Sequence, residues 1–436
     1  MASAFIYLIA MLALAGIDMS YVRAYHSVSS PSGSAVDGFV WRYALGAGVA
    51  FGVVGVFAWY LAASKFLAVP AYLGSVVGLG ILLAILNIMA LTRARLSNRY
   101  RAMSISNVVA ALGVAAISVG VATWWRQDAF PLILAILVGN LLPVIVLGMP
   151  SPKVLTTPSG LSRKERGLIF SVGLAGVVTA PMYWVLSSMD RWILGYIDGA
   201  ASVGIYSIGY NVAVIGLLLN NAIQSVWLPE ATREYERQPE TAPVILGQLA
   251  ERLIVALALM WLAITAAGGD AIRLLVSAEF YSASSLVPVI ALGAFFYGVL
   301  QLANAALIIK KRLHRAIWWW VAGAVLCFVL NVVLVPSFGR IGSAVTQAVS
   351  FAFVASGIVI NAQRCMPVHI RGLRLTAILV AIGCAGIMMH GPWSVSPVRS
   401  LLFKVPVGLI CVAVFVSAVM PGAYEMVRNR MSRGWQ

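Results

Sequence analysis

Residues 168–236 read LIFSVGLAGVVTAPMYWVLSSMDRWILGYIDGAASVGIYSIGYNVAVIGLLLNNAIQSVWLPEATREYE. Two apolar runs fill this stretch, at 167–189 and 201–228, each long enough to cross a hydrocarbon layer of about 30 Å as a helix rising 1.5 Å per residue. Charge is confined to the margins: Arg166 and its neighbours before the first run, Asp190, Arg191 and Asp198 between the two, and the segment from Glu230 after the second. The same alternation of apolar run and short charged turn extends in both directions from here.

Composition agrees with that reading. Of 436 residues 61% are hydrophobic and 10% charged, with mean hydropathy +0.94, against roughly 25% charged in an average soluble domain. A water-soluble globule is excluded, because so few charges cannot cover its surface. The net charge of +16 would suggest nucleic acid in a soluble protein, but these cations sit in short loops and not on one face, so no nucleic-acid partner is expected.

Thirteen apolar runs predict membrane helices at 3–22, 41–63, 70–92, 102–124, 130–148, 167–189, 201–228, 249–268, 284–309, 316–335, 340–361, 375–393 and 401–420. Basic residues accumulate on the cytoplasmic side of a membrane. With the first helix entering from outside, 23 of the 30 Lys and Arg fall in cytoplasmic loops, and the other seven, Lys65, Arg126, Arg191, Arg273, Arg340, Arg399 and Lys404, lie on the outer side. The C-terminus is therefore expected in the cytoplasm. The first run has no basic segment ahead of it and no clear small-residue cleavage site, so it reads as a retained helix and not as a signal peptide. Cys327, Cys365, Cys384 and Cys411 form no CxxC pair, the four histidines are scattered, and the sequence contains no GxxxxGK[ST] loop. No metal, no cofactor and no catalytic group is expected.

Around residue 90 the chain reads ALTRARLSNRYRAMSISN, and around residue 306 ALIIKKRLHRAIWWWVAG. Each is a helix, a basic loop and another helix, offset by 214 residues. A half-length repeat is a common build for secondary transporters, although any hairpin with a basic loop has this look. If the repeat holds, helices 2–5 pair with 8–11 and helix 1 with helix 7. Helix 6 is left without a counterpart, as in a 14-helix plan without its first helix. The expected divisions are an N-terminal lobe at 1–149, a cytoplasmic linker at 150–166, a C-terminal lobe at 167–361, and two extra helices with a tail at 362–436.

Three motifs carry a family likeness: Asp190-Arg191 followed by Leu194-Gly195 and Gly204-Ile205-Tyr206; Leu228-Pro229-Glu230; and VPSFGRIGSAV, with Pro336, Gly339, Gly342 and Ala344. In their order and spacing, and in GIDMSYVRAYH from Gly16, the chain resembles the polysaccharide (O-antigen, Wzx-type) flippases of the multidrug/oligosaccharidyl-lipid/polysaccharide exporter superfamily. The resemblance implies 12 or 14 helices in two lobes around a central cavity. It implies that an undecaprenyl-pyrophosphate-linked oligosaccharide moves from the cytoplasmic to the periplasmic leaflet of a bacterial inner membrane by alternating access, for lipopolysaccharide or exopolysaccharide assembly. The lipid-linked oligosaccharide and membrane lipids are the implied partners, with a polysaccharide polymerase and its chain-length machinery as further ones. Lipid II flippases are similar too, but typically carry an Asp-Arg pair where Tyr210 and Asn211 stand, so a peptidoglycan precursor is disfavoured.

Ionisable groups within a span cost about 2.5–3.5 kcal/mol to insert and are functional candidates for that reason. Asp18 reads either as a cavity carboxylate, for glycan hydroxyls or a proton or cation, or as an interfacial cap. Arg23, five positions on and about 140° around the helix, is a further path candidate. At the end of helix 6, near the outer mouth, Arg191 suits a forked contact to pyrophosphate or acidic sugar, with Asp190 holding it; the alternative is an interface marker. On helix 7, Tyr206, Tyr210, Asn220, Asn221 and Gln224 fall within about a 100° sector at helical periodicity. That stripe lines a sugar path or makes helix-to-helix hydrogen bonds. The alternatives in function are an ion-coupled small-molecule exporter of the same superfamily and a membrane glycan polymerase or ligase. The latter is disfavoured by the absence of a sizeable outer loop.

Overall fold

The computed structural model describes residues 2–18, 21, 34–65, 73–124, 130–156, 161, 163–310, 312–394 and 396–419. Among them every regular element is helical: α1 Ala2–Leu14, α2 Ser34–Lys65, α3 Gly74–Leu96, α4 Tyr100–Trp124, α5 Phe130–Leu147, α6 Pro152–Thr156, α7 Arg163–Ile197, α8 Gly199–Ala213, α9 Ile215–Arg237, α10 Ala242–Leu275, a 3-10 segment Ala278–Leu286, α11 Val287–Ile309, α12 His314–Cys365, α13 Gly372–Met389 and α14 Pro397–Val419. Nine helical stretches among the described residues are long and apolar enough to cross a membrane, and α12 with its 52 residues is long enough to cross twice. Each of the thirteen expected spans overlaps a described helix, although those at 3–22, 130–148 and 167–189 fall outside these nine stretches. The chain is an all-helical, multi-pass membrane protein.

Helices dominate because a backbone in hydrocarbon must satisfy its own N–H and C=O groups within the segment. The departures from straight helix have local causes. In α12, Gly339 takes φ 52° and ψ −128°, a combination closed to residues with a side chain. Pro336 just before it supplies no N–H to the ladder. The expected spans 316–335 and 340–361 are the two arms of this kinked helix, and Arg340 Nη1 ties the kink to Ser282 Oγ at 3.2 Å.

The expected single helix 201–228 is also divided. At Val214 the ladder tightens: Leu217 N–H reaches back only three residues, to Val214 O at 2.8 Å, separating α8 from α9. A shorter turn advances the register, so the 100°-per-residue projection does not carry from Tyr210 to Asn220. Helix α7 in turn runs eight residues past the expected end at 189, so Asp190 and Arg191 lie inside it and not at its terminus.

The residues group into two compact units, 1–184 and 185–436. The division falls within α7, whereas the sequence reading sets it in the loop 150–166. In unit 1, α3 is central and packs on α1, α2 and α5. Its approach to α2 is close because glycines meet: a Cβ on Gly78 would come 2.8 Å from Gly52 O, and one on Gly52 3.0 Å from Gly78 O. Asn87 Nδ2 and Tyr7 Oη both donate to Asn140 Oδ1, at 3.0 and 3.2 Å, joining α3 and α1 to α5. The short α6 docks on α2, where Arg42 Nη1 donates to Leu155 O at 3.2 Å.

In unit 2 the central helices are α10 and α11. Helices α8 and α9 pack on α11, α9 on α10, and α12 on α11, while the last two helices, α13 and α14, both pack on α10. The internal pairings repeat. In unit 1 the first expected helix touches the second and third, the second touches the third, and the third touches the fifth. In unit 2 expected helix 7 touches 8 and 9, helix 8 touches 9, and helix 9 touches the kinked pair 10–11. The two units thus share these pairings.

Candidate functional site

A straight helix would hold residues 190 and 206 about 24 Å apart. The turn at Asp198 and Gly199 (φ 84°) reverses the chain and brings α8 back along α7. Asp190 and Tyr206 consequently meet: the Tyr206 hydroxyl donates to Asp190 Oδ2, and the Arg191 backbone N–H donates to Oδ1 at 2.8 Å. Asp190 is 1% exposed and Tyr206 0%. A carboxylate removed from water needs such donors, and here both oxygens have one.

Arg191, half-buried, takes a different set of contacts. Its guanidinium carbon lies 3.8 Å from the centre of the Tyr210 ring, and Nη2 donates to Ser187 O at 3.3 Å. Its Nε is buried with no acceptor. The Tyr206 and Tyr210 ring centres are 6.4 Å apart at 30°. Behind them stand Leu194, Ala213, Ile272, Leu286, Val335 and Ala344. The two oxygens of Asp190 bond the Tyr206 hydroxyl and the Arg191 main chain, while the Arg191 guanidinium rests on a ring face and a carbonyl beside that carboxylate. A guanidinium stacked on an aromatic ring keeps its in-plane N–H groups for other acceptors.

The structure therefore gathers Asp190, Arg191, Tyr206 and Tyr210 into one cluster within unit 2. Asn220, Asn221 and Gln224 lie beyond the Val214 turn and differ among themselves. Asn220 is buried and donates to Ala294 O at 2.8 Å, so it links α9 to α11. Asn221 is exposed and Gln224 half-buried. Asp18 belongs to unit 1. It is half-buried and follows a break where Ala15 (φ 48°) and Gly16 (φ 70°) are both left-handed. The Ala13 carbonyl freed by that break accepts from Tyr43 Oη at 2.9 Å. Arg23 lies outside the described residues.

Several polar groups escaped the sequence reading. In unit 1 Asp37 accepts from Tyr21 Oη at 2.5 Å and from Arg93 Nε at 3.1 Å; the expected span began only at 41, which left Asp37 in a loop. In unit 2 Ser343, Thr346, Gln347 and Ser350 are all buried on α12, and Ser343 Oγ is 3.5 Å from Asn331 Oδ1. Their spacing of three, four and seven residues is one helix face, a signal present in the sequence but diluted by small apolar neighbours. Lys404, counted above among the outer-loop cations, is instead buried in α14 and paired with Asp270 of α10. Among the described residues no three His, Cys, Asp or Glu side chains gather as a metal site would require.

Comparison with known proteins follows the same lines. The profile of a family described as "Polysaccharide biosynthesis protein" matches residues 1–234. The probable low-salt glycan biosynthesis flippase Agl15 of Haloferax volcanii is 26% identical over 227 residues, 52% of this chain and 47% of that protein. The match thus spans about half the length of this curated relative. Among solved structures, the lipid II flippase MurJ in an inward closed conformation superposes with a TM-score of 0.67 at 12% identity, covering 94% of this chain and 90% of that one. An inward-facing multidrug resistance MATE family transporter of the MOP superfamily gives 0.57 at 12% identity, covering 87% and 91%. These two likenesses establish the fold. With more than half of its residues matched by the family profile, the chain belongs to the polysaccharide biosynthesis protein family and carries the polytopic helical fold that MurJ and MATE transporters share.

Proposed function

We propose that the chain is a flippase that moves an undecaprenyl-pyrophosphate-linked oligosaccharide from the cytoplasmic to the periplasmic leaflet of a bacterial inner membrane, by alternating access, and so supplies lipopolysaccharide (O-antigen) or exopolysaccharide assembly. It is a transporter, with no covalent step. The observation that carries the reading is Arg191 within a membrane helix, its guanidinium carbon 3.8 Å from the centre of the Tyr210 ring and its Nη2 braced by Ser187 O. A guanidinium costs several kcal/mol to place there and is retained where an anion repays the cost. The diphosphate of a lipid-linked glycan is such an anion, and a planar fork suits its paired oxygens. Family membership and the flippase named among the relatives support the same substrate class. Tyr210 supports a glycan-phosphate cargo over a peptidoglycan precursor, since it gives Arg191 a ring to stack on where lipid II flippases typically place an aspartate.

A hydroxylated cargo also needs neutral donors and acceptors. Asn221 is exposed on a membrane helix, an orientation that lipid does not satisfy and a polar cavity does. With Gln224 one turn on, it extends the path for sugar hydroxyls. Tyr206 and Asp190 position α8 against α7 so that Tyr210 stays under the guanidinium. Asn220 is a packing residue, and Asp18 remains a separate candidate for binding glycan hydroxyls.

The test is surface glycan in a strain lacking its own flippase. Arg191→Ala, and Asn221→Ala combined with Gln224→Ala, abolish surface glycan while the protein still accumulates in the membrane. Arg191→Lys restores only part of it, because the charge remains and the planar fork does not. Unchanged export by variants that are present in the membrane removes these residues from the substrate path.

A further inference from the structure

Lys404 stands eight residues into α14, about two helical turns from its start, and is 3% exposed. Its ammonium donates to Asp270 Oδ2 at 2.7 Å and to Ala266 O at 2.8 Å, both on α10. Asp270 is 1% exposed and its Oδ2 also accepts from Ser400 Oγ at 3.0 Å. Ser400 Oγ in turn accepts from Trp393 N–H at 3.0 Å, which fastens the segment leading into α14. Five groups from α10, α14 and the connection before α14 thus close one network in a region otherwise packed with Leu, Ala and Val.

We infer that this network is an assembly lock: the Asp270 carboxylate is what allows α14 to be accepted in the membrane and to dock the α13–α14 hairpin on α10. Three features lead there. The stretch 390–404, from the end of α13 into α14, carries Arg399 and Lys404 and no acidic residue, so it crosses to the side where basic residues are disfavoured with nothing of its own to neutralise them. Lys404 is too deep and too buried to be a loop charge, and an unpaired ammonium at such a place is costly to insert. The contacts that neutralise it all come from a helix more than a hundred residues earlier, already in place when α14 emerges. The lock makes the last two helices part of unit 2, which packs them on α10 through Leu262, Ile378 and Met389.

A buried pair loses most when one partner is removed and the other is left uncompensated; removing both is far milder. The experiment compares Asp270→Asn, Lys404→Met and the double variant of the full chain, each quantified as folded protein in the membrane by size-exclusion of a C-terminal fluorescent fusion. Each single variant lowers the folded amount at least about threefold, and the double variant recovers at least about threefold over the worse single one. Arg399→Ala, a neighbouring exposed cation, serves as the control and stays at the wild-type level. A smaller loss in either single variant, a double variant that fails to recover, or an equal loss for Arg399→Ala overturns the lock. The outcome is independent of what the protein transports.

Discussion

Tyr206→Phe removes one oxygen atom from the protein and leaves the ring, fully buried, in place. No cavity opens, so the cost is that of the hydrogen bond alone. The bond is made to Asp190 Oδ2, and Asp190 is 1% exposed, so water does not replace the lost donor. Hydrogen bonds to charged groups contribute about 1.5–3 kcal/mol, and a buried acceptor left unsatisfied costs a similar amount. The expected loss is about 2 kcal/mol, roughly a thirtyfold fall in the ratio of folded to unfolded protein. Reversible unfolding in mixed detergent micelles measures it. Pairing Tyr206→Phe with Asp190→Leu, which removes the unsatisfied carboxylate as well, should cost less than the two single losses added. A Tyr206→Phe protein within about 0.5 kcal/mol of wild type, the range of an ordinary surface change, would show that the hydroxyl is not what fixes α8 against α7.

Gly339→Ala forces a Cβ onto a backbone at φ 52° and ψ −128° and sets it 3.3 Å from Asp198 Oδ2; the loss should be about 1–3 kcal/mol by unfolding titration. Gly204→Ala, at an ordinary helical position with nothing within 4 Å of the new Cβ, should instead gain about 0.5–1 kcal/mol. For orientation, a reporter active only in the cytoplasm should be active when fused after Arg166 or Arg315 and silent near Arg126 or Arg340; reversed activity at both pairs would overturn the helix count.

Length and apolarity placed the membrane helices well, because a span must be apolar along its whole length and that property is local. What the sequence leaves hidden depends on partners distant along the chain. Val214 and Gly339 show why a run of apolar residues does not reveal its own bends: the tightened turn at 214 lies among ordinary Val, Ile and Gly, while the left-handed glycine at 339 is held by Arg340 reaching Ser282. Lys404 reads as a loop cation near the start of a helix until Asp270 is seen beside it. At the candidate site, Tyr206 and Tyr210 were readable as one face of α8 from their spacing of four. That Tyr206 serves the carboxylate and Tyr210 the guanidinium depends on the reversal at Gly199, which no periodicity encodes. Asn220 and Asn221, adjacent and chemically identical, divide into a packing amide and an exposed one purely through the helix face each occupies.

The most direct test of the proposed transport places purified protein in proteoliposomes whose outer leaflet carries a fluorescent, short undecaprenyl-pyrophosphate-linked oligosaccharide, and follows its protection from a membrane-impermeant quencher. Wild-type protein should bring a large part of the label under protection within the assay, and Arg191→Ala, reconstituted at equal density, should leave it accessible at the rate of empty vesicles. A wild-type protein that leaves the glycolipid in the outer leaflet while exporting a small organic cation from the same vesicles would contradict the account and return the chain to the drug-exporter reading.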